Sequence, residues 1–168
     1  YGSIRARGGA NSGNGGFVET SGKNYLDVTR AVDASAAHGL AGIWLLDPRN
    51  VTIVASNSAP SLDGQTPNFS PTQDNSTITN TVINTALNAG TSVVIDTGSD
   101  GTQAGDINVN AAITKTAGGN ATLTLNAHNN ININSSISST SGQLSLTLNA
   151  NSDNSGGGFS TLSSTLSL

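Results

Sequence analysis

The chain of 168 residues contains no cysteine and no methionine. The first absence removes disulfides, thiolate metal sites and thiol nucleophiles together. It leaves the compartment open, because large bacterial surface proteins also avoid cysteine. Charge is scarce as well: six basic and ten acidic side chains give a net charge of −4. Three of the six cations, Arg5, Arg7 and Lys23, fall near the start, so no basic stripe is offered to a phosphate backbone and nucleic acid is not an expected partner. No apolar run approaches the roughly 18 residues of a membrane-spanning helix, and membrane insertion is not expected either. There is no signal peptide and no initiating Met, and the ending STLSSTLSL is unpunctuated; the expectation is a segment of a longer chain.

Neutral polar groups take the place of charge. Asn, Ser and Thr make up 64 of the 168 residues. Disorder pairs low hydrophobicity with high net charge, and this chain lacks the charge, so it is expected to fold. The stretch ATLTLNAHNNININ (121–134) shows how: it has no full charge and places Leu or Ile at every second position in two short runs, which is a strand signal.

An internal repeat sets the architecture. Laying GDINVNAAITKTAG (105–118) over NNININSSISSTSG (129–142) aligns Ile107 with Ile131, Val109 with Ile133, Ile113 with Ile137 and Gly118 with Gly142, at an offset of 24. LTLNA recurs at 123–127 and 146–150, an offset of 23, so one residue is lost in a turn. Each unit holds three short strands separated by turn formers, as a parallel β-helix requires. Stacking then places the aliphatics in interior columns, Asn108 beneath Asn132 and Asn110 beneath Asn134 outside, where neutral amides bond along a ladder and like charges would repel. Earlier segments TVINTAL (81–87) and SVVIDTG (92–98) read as strands, with Ile83 placed 24 residues before Ile107. Residues 57–77 carry Pro60, Pro67 and Pro71, three of the four prolines, and read as a loop extruded from the rod. Residues 1–168 are thus expected to form a single all-β solenoid. At roughly 20 to 24 residues per coil it has about seven coils and a length of about 35 Å.

The motifs GGFVETSG (15–22), VDASA (32–36) and AGIWLLDPRNVTI (41–53), followed by a loop and then by repeated TLTLNA with NININ, resemble the filamentous-haemagglutinin-like exoproteins of bacterial two-partner secretion, which include high-molecular-weight adhesins. The resemblance spans nearly the whole chain in order. It implies a right-handed parallel β-helix, secreted through a dedicated outer-membrane transporter and displayed at the bacterial cell surface as an adhesin. The Asn-Pro-Asn motifs of that family's secretion domain are absent, which places the chain in the shaft beyond it. Engagement of a host-surface or matrix glycan or protein is a further implication.

Catalysis finds little support in the residues. Asp27 and Asp33 flank a turn, but Arg30 lies between them and a surface ion pair accounts for all three; Asp96, Asp100 and Asp106 are the other candidate set, and Asp100 lies in the Gly-rich turn GSDGTQAGD, where Asp is at home. His38 and His128 stand in turns without a companion at ligand spacing, so no metal or other cofactor is expected. Trp44, the only Trp, lies between Ile43 and Leu45 and reads as a core aromatic, with a sugar-stacking platform as the alternative. Asn50, Asn68, Asn75, Asn120 and Asn134 open Asn-x-Ser/Thr sequons, candidate glycosylation sites whose number is about what chance gives with 21 Asn. The expected function is a non-enzymatic shaft segment of a secreted adhesin. The alternatives are a direct glycan- or polysaccharide-binding module of a biofilm matrix and, beyond that, a polysaccharide-active enzyme or a toxin-delivery stalk.

Overall fold

The computed structural model describes residues 2–22, 25–56, 75–98, 103–155 and 157–168. Among these are thirteen strands and one helix: Phe17–Ser21 (β1), Ile43–Asp47 (β2), Asn50–Val54 (β3), Asn75–Thr79 (β4), the helix Asn80–Asn88 (α1), Ser92–Asp96 (β5), Ile107–Val109 (β6), Ile113–Lys115 (β7), Ala121–Ala127 (β8), Ile131–Ile133 (β9), Ile137–Ser139 (β10), Leu144–Ala150 (β11), Ser160–Leu162 (β12) and Leu166–Ser167 (β13). They form three sheets, ordered β1-β2-β5-β8-β11 on a first face, β4-β3-β6-β9-β12 on a second and β7-β10-β13 on a third. Paired neighbours run parallel, and the chain visits the faces in turn, so the fold is a parallel β-solenoid.

Alternation explains each strand. In β8 every odd position (Ala121, Leu123, Leu125, Ala127) is buried and every even one is only partly so. The register stacks like on like: Val51, Ile107 and Ile131 form one interior column, Ile53, Val109 and Ile133 a second, and Ile113 lies under Ile137 on the third face. Leu123 stands between Val93 and Leu146. Closing such columns removes large aliphatic side chains from water at about 1.5–3 kcal/mol each. At the corners, Gly118 and Gly142 both adopt positive φ. A Cβ on Gly142 would come within 2.9 Å of the Gly118 carbonyl oxygen, so the stacked corner admits only glycine.

The solenoid has about five coils where seven were expected, and four steps of about 4.8 Å make its height about 19 Å. Two stretches account for the difference. Residues 25–40 contribute only one isolated bridge, Asp33 to Arg5, and no named strand. Between β3 and β5 the chain makes a detour, so that Ile43 stacks directly under Ser92. The extruded loop expected at 57–77 falls mainly on residues 57–74, which lie outside the described residues. Residues 75–77 belong instead to β4, which pairs with β3 on the side away from β6. The chain therefore doubles back beneath its own preceding strand. There the buried Ser76 hydroxyl accepts the Leu26 backbone N–H at 2.9 Å.

TVINTAL is helical, not extended, and Ile83 is not the lower neighbour of Ile107; Val51 is. The buried residues of α1 are Val82, Ile83, Ala86 and Leu87, two adjacent pairs four positions apart, which share one helical face and could not share a strand face. The helix takes the place of a strand below β7, and a row of amides spaced by four serves that strand's backbone. Asn80 Nδ2 donates to the Ala112 carbonyl, Asn84 Oδ1 accepts from the Thr114 N–H, and Asn88 Oδ1 accepts from the N–H groups of Thr116 and Ala117.

Candidate functional site

Four kinds of feature are placed by this scaffold: exterior amide ladders, carboxylates, two buried polar-tipped side chains and two cavities. The ladders arise because outward positions of successive coils coincide. Asn132 Nδ2 donates to Asn108 Oδ1 at 2.9 Å, and Asn134 Nδ2 donates to Asn110 Oδ1 at 2.8 Å. Corner asparagines act differently, accepting backbone N–H groups of the coil above: Asn14 from Leu40, Asn120 from Gln143 and Asn130 from Phe159. Of the sequon asparagines, Asn68 lies outside the described residues. Asn50 donates to Asn75 and accepts from Gly105 and Asp106, while Asn120 and Asn134 make the bonds just given. All four thus serve coil-to-coil hydrogen bonds.

Asp33, Asp96 and Asp106 are engaged locally, whereas Asp27 lines a cavity with Glu19 and Arg30. Asp33 lies 3.5 Å from the Arg7 guanidinium, not beside Arg30 as the sequence suggested, because the coil stacks residue 33 over residue 5. Its partial burial raises its pKa, but bonds from the Ser35 side chain and backbone and the charges of Arg7 and Arg5 outweigh that, and the net shift is downward. Asp106 accepts from the Asn129 amide and the Asn130 N–H; Asp96 accepts from Gly98 and from Asn126 of the next coil. Asp100 lies outside the described residues. His128, expected to stand alone, has Asp153 Oδ2 at 3.2 Å from its Nδ1, close enough for an ion pair yet not aligned for a hydrogen bond. The contact escapes a linear reading because Asp153 is supplied by the corner of the next coil. Among the described residues no three His, Asp or Glu side chains converge as a metal site would require.

Trp44 is fully buried, and its Nε1 donates to the Thr20 hydroxyl at 3.0 Å. It presents no ring face to a sugar. Lys115 is the surprise: it is fully buried, its ammonium donating to the carbonyls of Ala117, Gly118 and Ser141, and burial pulls its pKa below the ordinary lysine value. Period-2 alternation in ITKT puts Lys115 on the same face as the inward Ile113, a signal that a reading of lysine as a surface residue passes over.

The groove lies on the first face. One outward column there runs Phe17, Ile43, Ser92, Thr122, Ser145 from coil to coil. Its residues shrink after Ile43, and beside them pass the small corner residues Gly90 and Gly119. The resulting groove of about 670 Å³ has Ser92, Thr122 and Ser145 along it and Leu40 on its wall. A second cavity, of about 560 Å³, is lined by Ile4, Leu26 and Trp44 together with the charged Glu19, Asp27 and Arg30. No protein-family profile matches the chain, and no curated protein sequence matches it.

Proposed function

We propose that this chain is a shaft segment of a large secreted bacterial surface adhesin, exported by two-partner secretion and serving to hold a binding element away from the cell. The observation that supports the reading best is continuity: interior aliphatic columns and exterior neutral ladders pass in register from coil to coil, which suits a mechanical spacer. The motifs GGFVETSG, VDASA and AGIWLLDPRNVTI add the family resemblance. Local ion pairs and hydrogen bonds engage Asp33, Asp96 and Asp106, which favours this reading over a polysaccharide-active enzyme built on those residues. The partner of the parent protein is then an outer-membrane transporter.

The test is export. The chain is fused behind a secretion domain of the resembled family, with an epitope tag behind it, in a bacterium with and without the matching transporter. The tag should reach the surface or medium only when the transporter is present. A tag held in the periplasm in both strains would overturn the proposal.

A further inference from the structure

We propose that the groove on the first face binds an uncharged polysaccharide lying along the solenoid axis. This goes beyond the shaft reading and does not rest on it: export and saccharide binding fail or succeed separately.

Three observations converge on this ligand chemistry. First, no residue along the groove carries a charge, so an anionic polymer finds no cation there and a basic one no carboxylate. Second, its two parts differ. Ser92, Thr122 and Ser145 offer hydroxyls, while Leu40, 74% exposed, offers apolar surface, and Ile43 and Phe17, 41% and 62% exposed, continue the outward column beyond the groove. The other large exposed aliphatic and aromatic side chains are Ile4, near the start, and Phe159, Leu162, Leu166 and Leu168 in the last coil, so this is the one such patch on the side wall among the described residues. A pyranose has the matching character, with hydroxyls at its rim and C–H groups on its face, whereas a lipid or an apolar helix would leave the hydroxyl row unpaired. Third, the hydroxyls recur once per coil, at a spacing of about 4.8 Å. A polymer of repeating sugar units can meet that row with the same contact several times, and several weak contacts on one chain sum to useful affinity.

The experiment titrates the whole chain with cellohexaose, chitohexaose, maltohexaose and laminarihexaose by calorimetry, with heparin as the charged comparison. At least one neutral hexasaccharide should bind with a dissociation constant on the order of 1 mM or tighter, and raising the salt should leave it unchanged because no ion pair is involved. Ser145→Arg, which fills the groove, and Leu40→Ala, which removes its exposed apolar wall, should each weaken binding by about tenfold or more. Both positions are exposed, so the circular dichroism and melting temperature should be unaltered, and Thr161→Arg on the second face should bind as the parent does. Absence of binding to all four sugars, binding indifferent to Ser145→Arg and Leu40→Ala, or salt-sensitive binding of heparin alone would each overturn the proposal.

Discussion

Lys115 shows how a single residue can depart from the logic of its column. Two positions before it the inward column holds Ile113 under Ile137, yet Lys115 pairs with Ser139 and its ammonium is enclosed by backbone oxygens of two successive coils, tying the corner at Gly118 to the one at Ser141. Because burial lowers its pKa in the folded state, the unfolded chain holds this proton more tightly, near the ordinary 10.5. Stability should therefore climb as pH rises from the lowered value toward 10.5. Lys115→Met should lose that climb, and near pH 7 it should be less stable by roughly 2 kcal/mol, since three carbonyls lose their donor. Urea midpoints of both proteins between pH 7 and about 10.5 would check this; parallel pH profiles would contradict it. The ladder asparagines, by contrast, were legible. An offset of 24 put Asn108 under Asn132 and Asn110 under Asn134, and period-2 geometry decided that they face outward. The corner asparagines were not legible as acceptors, because their partners belong to the next coil and their role depends on turn geometry.

At the scale of elements, spacing revealed β6 to β11 and misjudged α1. From β6 to β9 and from β7 to β10 the offset is 24 residues and from β8 to β11 it is 23, so the offset of one strand is evidence for all three faces of these coils. Nothing repeats α1. Thr81, Val82, Ile83 and Thr85 favour strands by propensity, and only the paired spacing of Val82-Ile83 and Ala86-Leu87 speaks for a helix. Burial of that face prevails over propensity, helped by the three asparagines that satisfy the backbone of β7 and its flanks. A substitution distinguishes the two conformations. Thr85 is exposed and its hydroxyl bonds back to the Thr81 carbonyl at 2.7 Å. Thr85→Ala should stabilise a helix by about 0.5 kcal/mol and raise the thermal midpoint slightly, whereas in a strand the same change would lower it.

Over the whole molecule, fold class was readable and coil number was not, since a count based on equal coils cannot anticipate a chain that turns back at β4 and replaces a strand with α1. The two ends also differ in a way that composition hides. The first coil carries Arg5, Arg7 and Glu19, charges of the kind that deter pairing of exposed edges. The last coil, built of LSLTLNA, STL and LS, has neither charge nor proline in its strands, and Leu162 and Leu166 are 52% and 39% exposed. The isolated chain should therefore associate with rising concentration through this end. Leu162→Lys with Leu166→Lys should keep it monomeric in light scattering, and equal association by both proteins would exclude the end as the contact.

The strand that doubles back has a bearing on the order of assembly. A simple solenoid can wind from one end, each coil settling on the last as the chain emerges. Here the first coil is fastened by groups that arrive much later: Leu26 waits for Ser76, 50 residues on, and Ala34 for the Thr91 hydroxyl, 57 residues on. Winding from the amino terminus must pause until residue 91 is free to join. Once that clasp closes, it becomes the template on which the regular coils of the carboxyl half can grow, so the slow step belongs to the irregular half and the fast ones to the repeats.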